Sequence, residues 1–293
     1  MKAPRLHPVV AVLLAGISVV SGAAIAKGLF PTLGPAGTAG VRIGLSALML
    51  LAAFRPPLRR LTRAQWREIV PWGLSLGAMN LSFYYAIARV PLGLGVTVEF
   101  IGPLGVAVLG SRRPLDLLWV VMAGAGIALI APWRADGIDP VGVLFSLLAG
   151  LFWATYIVLG VRVGKEIEGG HGVAAGMVVA AALVVPIALV APVGGRVAGL
   201  LPTLTPALLA QGAAIALLSS AIPYTLEMTA LKQMTPRAFG IMMSLEPAIA
   251  GLTGLLFLGE RLSPVQWVSI ALVIAASAGV TLTARRIEPP IEV

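Results

Sequence analysis

Ten apolar stretches, each close to the length that crosses a bilayer, constrain this chain more than any other feature. A helix needs about 20 residues to span the hydrocarbon. The stretches lie at residues 9–29, 35–54, 69–88, 91–110, 115–132, 140–161, 173–191, 207–226, 237–257 and 265–283. Because every backbone polar group in hydrocarbon must find a partner within the protein, such stretches fold as helices. The sequence therefore predicts an all-α integral membrane protein with ten transmembrane helices.

Composition excludes a soluble fold. Of the 293 residues, 58% are hydrophobic and 11% are charged, whereas a soluble domain carries about 25% charged residues. The first stretch has one alternative interpretation, a signal peptide cleaved near Ala24-Ile25-Ala26. The apolar region of a signal peptide is usually about 7–15 residues long, and this stretch is longer. We therefore expect the first stretch to be a transmembrane helix and the lipid bilayer to be a partner of the folded chain.

The basic residues indicate the orientation of the chain. The net charge is +9, but the basic residues occur in short runs between the apolar stretches, as topology signals do, so nucleic acid is not an expected partner. With the N-terminus inside the cell, fifteen Lys and Arg residues lie in inner segments and four in outer loops. This asymmetry predicts that both termini are cytoplasmic.

Landmarks of the first half of the chain recur in the second half. The offsets are 145, 144 and 148 residues for three pairs: Pro91 and Pro236, Pro103 and Pro247, and Trp119 and Trp267. The chain thus divides into two five-helix repeats, residues 1–134 and 135–293. Because five is odd, the second repeat is inverted relative to the first. Inverted repeats with interrupted helices are typical of secondary transporters that bind their substrate near the bilayer midplane.

Two carboxylates lie beside prolines that interrupt helices. Glu99 precedes Pro103 by four residues, and Glu246 directly precedes Pro247. Since proline donates no N–H, the carbonyl of Glu99 loses its helical partner. Polar groups at this depth face protein or water rather than lipid. Glu246 has no basic residue nearby in the sequence, so we expect it to bind a substrate ammonium group or to take up a proton.

Two basic residues, Lys27 and Arg42, also lie within the apolar stretches. An unpaired charge in the bilayer costs about 3 kcal/mol or more, so each needs a partner. Glu99 is the expected counter-charge for Lys27 or Arg42, which would keep Glu99 ionised. Lys27 either extends to the membrane surface or binds one end of a zwitterionic substrate, whereas Arg42 is expected in a structural ion pair.

Polar and aromatic side chains on other helices complete the candidate site. They are Asn80, Tyr84, Trp153, Tyr156 and Tyr224. The spacing of four between the first two, and of three between Trp153 and Tyr156, places each pair on one helical face. Pro223 is a further expected helix break and would free the carbonyl of Ser219. Packing, or anchoring at the membrane surface, is the alternative role for the aromatic residues.

Chemistry other than transport finds no support in the residue types. The chain has no cysteine, and His7 and His171 both lie outside the apolar stretches. No phosphate-binding GxxxxGK[ST] motif occurs, so ATP is not the expected energy source. We therefore expect no metal, no cofactor and no enzymatic activity.

Six short motifs carry a resemblance to a known family. They are Val98-Glu99-Phe100-Ile101-Gly102-Pro103, Ser111-Arg112-Arg113-Pro114, Ile222-Pro223-Tyr224-Thr225-Leu226-Glu227-Met228, Arg237-Ala238-Phe239-Gly240, Ser244-Leu245-Glu246-Pro247-Ala248 and Phe257-Leu258-Gly259-Glu260. With these motifs the chain resembles, over nearly its whole length, the bacterial threonine/homoserine exporters. That group belongs to the EamA branch of the drug/metabolite transporter superfamily.

The resemblance implies an inner-membrane exporter of small amino acids, with protons as a candidate coupling ion. It implies a central cavity lined by helices 1, 3, 4, 6, 8 and 9. Those helices carry Lys27, Asn80, Tyr84, Glu99, Trp153, Tyr156, Tyr224 and Glu246. Arg42, on helix 2, falls outside that lining. The superfamily also includes exporters of aromatic amino acids and of organic cations, and the motifs leave these alternatives and the oligomeric state open.

Overall fold

The computed structural model describes residues 7–109, 114–130, 138–167, 170–192, 200–223, 226 and 242–283, whose regular structure is helical. The helices are α1 (Pro8–Gly28), α2 (Phe30–Phe54), α3 (Arg63–Ile87), α4 (Leu92–Glu99), α5 (Ile101–Leu109), α6 (Pro114–Ile130), α7 (Pro140–Glu166), α8 (Gly170–Val190), α9 (Pro206–Ala216), α10 (Glu246–Leu258) and α11 (Pro264–Thr283). A π-helical turn, Leu217–Ala221, continues α9.

Five of these helices are long and apolar enough to cross a membrane. They are Pro8–Gly28, Phe30–Phe54, Pro140–Gly164, Gly170–Val190 and Pro264–Thr283. The predicted stretch 91–110 is divided between α4 and α5, and α10 has only 13 residues. The chain is therefore an all-helical, multi-pass membrane protein in the part that the structure describes, and the count of ten crossings remains a prediction.

Local sequence explains where the helices begin. Proline occupies the first turn of α1, α7, α9 and α10, where its missing N–H has no helical partner to lose. Thr62 and Gln65 form a capping box at the start of α3. Asp139 accepts a hydrogen bond from the N–H of Val141 at the start of α7 and another from Arg89. These two hydrogen bonds hold the pKa of Asp139 below its usual value.

The second helix begins earlier than the sequence indicated. The predicted stretch starts at residue 35, whereas α2 starts at Phe30 and bends at Gly34, whose φ is 68°. Glycine adopts this left-handed conformation without the steric cost that other residues meet. The next residue, Pro35, cannot donate to the preceding turn, so the bend falls where two sequence signals coincide.

The helices pack as a bundle through small residues. α2 packs against α8, α3 against α7 and α8, α4 against α7 and α10, α6 against α11, and α1 against α9 and α10. Gly40 lies against Ala188, and Gly93 lies against Gly251. Small residues at crossings let helix backbones approach closely, which is how helices associate in lipid. Large apolar side chains such as Val190, Leu256 and Phe257 project outward and suit contact with lipid.

Candidate functional site

A cavity of about 270 Å³ lies at the centre of the bundle, between α1, α2, α3, α4, α7, α8, the π-helical turn and α10. Its polar lining consists of Arg42, Asn80, Glu99, Trp153, Tyr156, Ser219, Ser220 and Glu246. Apolar side chains form the rest of the wall. A small number of polar groups in an otherwise apolar cavity is the usual composition of a site for a small molecule.

The structure brings together most of the candidate residues, although not all of them. Asn80, Glu99, Trp153, Tyr156 and Glu246 line the cavity, as does Pro223. Tyr84 is fully buried beside the cavity, where its ring contacts Phe30 and Phe83. Tyr224 lies outside the described residues. Lys27 is not part of the lining.

Arg42 corrects an expectation, because it lines the cavity instead of lying outside it. Its Nη1 donates to Asn80 Oδ1 at 2.7 Å and lies 3.4 Å from the hydroxyl of Tyr84. Its guanidinium carbon is 5.6 Å from the centre of the Tyr84 ring, within the range of a cation–π interaction. The amide of Asn80 donates to the carbonyl of Leu76 at 2.8 Å. Two α3 side chains therefore hold the Arg42 head in position.

Glu99 is the last residue of α4, and its side chain is 8% exposed. α5 starts at Ile101, so the helix is interrupted at Phe100, three residues before Pro103. At this interruption α7 crosses very closely: a Cβ on Gly150 would lie 2.7 Å from the Glu99 carbonyl oxygen, and a Cβ on Gly102 would overlap the Gly150 carbonyl. The glycine hydrogens therefore point at two carbonyls, as weak C–H···O contacts.

Glu246 is the first residue of α10, followed by Pro247, and it is also 8% exposed. The positive end of the α10 dipole lies beside it, which favours negative charge there. Glu99, at the end of α4, has the negative end of a helix dipole instead. The Glu99 carboxyl lies close enough to Glu246 and to Arg42 to interact electrostatically with both. The cavity therefore contains two carboxyls and one guanidinium.

The π-helical turn moves the carbonyl freed by Pro223. The N–H of Ile222 bonds to the carbonyl of Leu217, five residues earlier. In that register the N–H of residue 223 would bond to Leu218, and proline has none. Ser18 on α1 donates to the Leu218 carbonyl at 2.7 Å. The freed carbonyl therefore belongs to Leu218, not to Ser219 as expected, and α1 satisfies it.

Aromatic packing positions the α7 side of the cavity. Trp153 packs edge-on against Phe100, with 5.3 Å between ring centres. Tyr156 stacks on Trp72 at 5.1 Å, and the Trp72 indole N–H donates to the Tyr156 carbonyl at 3.1 Å. Aromatic pairs of this kind are worth about 0.5–1.5 kcal/mol beyond the area they bury. They hold Trp153 and Tyr156 on the cavity wall.

Lys27 has a different partner from the one expected. Its Nζ lies 2.6 Å from Glu260 Oε1 and donates to the carbonyl of Val90 at 2.8 Å. The other Glu260 oxygen accepts the N–H of Leu92, the first residue of α4, at 2.7 Å. Glu99 is therefore not the counter-charge of Lys27. Sequence reasoning missed Glu260, although its motif Phe257-Leu258-Gly259-Glu260 was among those that carried the resemblance.

A bundle of apolar helices around a charged central cavity is the architecture of a membrane transporter. Comparison with known proteins gives the family. The family model "EamA-like transporter family" matches residues 140–282. Relatives that cover nearly the whole chain are similar at 43% identity. The chain therefore belongs to the EamA-like transporter family, and the resemblance found in its motifs is confirmed.

Individual relatives differ in how much of the chain they match. The threonine/homoserine exporter RhtA of Salmonella typhimurium LT2 is 43% identical, over 99% of this chain and 96% of that protein. RhtA of Escherichia coli K12 is also 43% identical, over 97% and 95%. The inner membrane transporter YedA of Escherichia coli K12 is 25% identical over 85% of this chain and 82% of that one. A crystal structure with 19% identity superposes with a TM-score of 0.59, covering 96% of this chain and 99% of that chain, which shows a shared fold alone.

Proposed function

We propose that this protein exports threonine, homoserine and other small neutral amino acids across the inner membrane by alternating access. The observation that carries the proposal is the central cavity, which presents a guanidinium, Arg42, together with two carboxyls, Glu99 and Glu246. An amino acid is a zwitterion and needs groups of both signs. The names of the relatives with 43% identity support the same substrates.

Cavity size and charge argue against the two alternatives. Sites for drug-sized ligands usually measure about 300–1,000 Å³, and this cavity of about 270 Å³ lies below that range. A small solute therefore suits it better than a drug, and the names of the relatives with 43% identity favour threonine and homoserine over aromatic amino acids. A purely cationic substrate could meet the two carboxyls but would leave Arg42 without a negative partner, which counts against it.

The helix pairing supports two inverted five-helix repeats, residues 1–134 and 135–293. That both termini are cytoplasmic rests on the distribution of the basic residues alone. Under such a repeat α2 corresponds to α8, α4 with α5 to the predicted stretch 237–257 that overlaps α10, and α6 to α11. Each of these pairs is in contact. The contacts of α7 with α3 and α4 then correspond to those of α1 with α9 and α10. This exchange of equivalent contacts is what a pseudo-two-fold arrangement requires.

The two carboxyls supply a physical basis for proton coupling. When an amino acid is bound, its ammonium group lies beside the two carboxyls and favours their ionised forms, while its own carboxylate is balanced by the guanidinium of the site. When the amino acid leaves, two interacting carboxylates share one guanidinium, which disfavours full ionisation of the pair. A proton then takes the place of the substrate cation. We assign ammonium binding to Glu246, whose position at the start of α10 favours its charged form.

Transport in liposomes tests the proposal. Purified protein should release labelled threonine from loaded liposomes faster than protein-free liposomes do, and an opposing proton gradient should accelerate this release. Homoserine should compete with threonine, whereas tryptophan and tetraethylammonium should compete weakly. Transport of tetraethylammonium without transport of any amino acid would contradict the proposal.

Variants of the carboxyls test their roles. Glu246→Gln keeps the side-chain size and removes the charge, so it should abolish threonine transport or make its rate independent of pH. Glu99→Gln should weaken threonine binding, because it removes one of the two carboxyls that offset the positive charges of Arg42 and of the substrate ammonium group. Glu166→Gln, at the exposed end of α7, is the matched control and should retain the native rate. A native rate and native pH dependence in Glu246→Gln would show that this carboxyl is only structural.

A further inference from the structure

Arg42 has a hydrogen-bonding capacity that its neighbours leave unused. Its described hydrogen bonds come from Nη1 and go to two neutral groups, Asn80 and Tyr84. Its Nε is buried without a hydrogen-bond partner. Among the described residues, no carboxylate lies within ion-pair distance of Arg42, whereas Lys27 and Arg89 each have one. A guanidinium in this state lacks the planar, two-oxygen partner that it binds best.

The cavity supplies the place for that partner. Arg42 and Asn80 lie on the α2–α3 side of the cavity, while Glu99 and Glu246 lie on α4 and α10. An α-amino acid whose ammonium group meets the carboxyls would present its α-carboxylate to Arg42. Because Asn80 is itself held by the Leu76 carbonyl, the guanidinium is positioned before the substrate arrives.

We propose that Arg42 binds the α-carboxylate of the transported amino acid and thereby restricts transport to compounds with a free carboxylate. This inference rests on the function proposed above. It adds that the site excludes amines, esters and amides, which would leave the buried guanidinium unpaired when they occupy the cavity. Asn80 acts as a positioning residue that fixes the direction of the guanidinium.

Competition by threonine and by threoninamide measures this selectivity directly. Threoninamide keeps the ammonium, the hydroxyl and the size of threonine and lacks only the negative charge. In the wild-type protein, threonine should compete for labelled threonine about 10- to 100-fold better than threoninamide, because hydrogen bonds to charged groups are strong. Arg42→Lys keeps the positive charge but loses the planar guanidinium that can donate two parallel hydrogen bonds to a carboxylate. It should therefore reduce the preference for threonine over threoninamide at least about tenfold.

Asn80→Asp provides a second variant, which keeps the size of the side chain but loses the hydrogen bond that Asn80 donates to the Leu76 carbonyl. It places a carboxylate at the position where Asn80 Oδ1 now accepts a hydrogen bond from Arg42 at 2.7 Å. This internal carboxylate would compete with the substrate carboxylate, so threonine binding should fall about tenfold or more while threoninamide binding is retained or improved. Arg89→Gln removes an arginine from an exposed ion pair outside the cavity and should change neither substrate.

The outcomes separate the two proposals. If the wild-type protein moves no amino acid, the proposed function fails and the role of Arg42 fails with it. If the wild-type protein transports threonine but Asn80→Asp keeps the native preference for threonine over threoninamide, the role of Arg42 is overturned alone. Should Arg42→Lys fail to fold, as judged by size-exclusion chromatography, Asn80→Asp decides the matter by itself.

Discussion

Replacing Lys27 by methionine should weaken one end of the bundle and raise the accessibility of the central cavity. The Lys27 ammonium connects the end of α1 to Glu260, in the turn between α10 and α11, and to the carbonyl of Val90 just before α4. Glu260 in turn accepts the N–H of Leu92 at the start of α4. Three elements are thus joined by one ion pair, at the end of the bundle that we predict to face outside.

The magnitude follows from the burial of the pair. Removing one partner from a fully buried ion pair costs about 3–5 kcal/mol, whereas a fully exposed pair contributes at most about 1 kcal/mol. The Lys27 and Glu260 side chains are 22% and 14% exposed. We therefore expect Lys27→Met to cost about 2 kcal/mol, since methionine keeps most of the apolar stem and loses the charge. A change of this size shifts a two-state equilibrium by about 30-fold.

A double-mutant cycle isolates the interaction from other effects. Lys27→Met, Glu260→Gln and the double variant are compared with the wild-type protein by thermal unfolding in detergent, and the coupling energy should be about 1–2 kcal/mol. The matched control is the cycle for Arg89 and Asp139, a pair 45% and 32% exposed. Its coupling should be about 0.5 kcal/mol or less.

Cavity accessibility gives the functional readout. The chain has no cysteine, so Val19→Cys places a single thiol on the cavity wall. An impermeant thiol reagent added outside intact cells should label this thiol about tenfold faster when Lys27→Met is also present. Additive single-variant effects in the cycle, together with an unchanged labelling rate, would refute the idea that this ion pair holds the bundle closed.

Two further predictions concern the helix crossing and the topology. Gly150→Ala should destabilise the protein by about 1–3 kcal/mol and reduce threonine transport, because a Cβ there would overlap the Glu99 carbonyl. Gly164→Ala, on the same helix with no atom within 4 Å of its Cβ, should be neutral or slightly stabilising, and equal effects of both would contradict the crossing. Thr62→Cys should react with an impermeant reagent only after cells are permeabilised, and its labelling in intact cells would overturn the predicted cytoplasmic position.

The distance of Arg42 along its helix could be predicted from the sequence, whereas the helix face on which it lies could not. Counting about 1.5 Å per residue places Arg42 roughly 10 Å beyond Pro35, and the structure does place it at the central cavity. Which way it points depends on how α2 packs. In lipid, the inner and outer faces of a helix are both apolar, so periodicity no longer marks the interior as it does in a soluble protein. The face of Arg42 therefore became evident only from its contacts.

Partners distant in sequence were the second unpredictable feature. Lys27 and Glu260 are separated by 233 residues, and no local spacing relates them. The sequence did indicate that a charge at this depth needs a partner, but Glu99, the acidic residue expected at a similar depth, was the wrong choice for Lys27. The need for a partner is a matter of local electrostatics, while the identity of the partner is a matter of tertiary packing.

Partners distant in sequence also could not be predicted for the backbone carbonyls at the helix interruptions. Pro103 and Pro223 each remove an N–H, and each freed carbonyl needs a contact. The π-helical turn shifts the second of these carbonyls by one residue, to Leu218, where Ser18 donates to it. The Glu99 carbonyl faces Gly150. In both cases the contact comes from the opposite half of the chain. The two halves therefore meet where their helices are interrupted. The cavity that we propose binds amino acids lies at the same place.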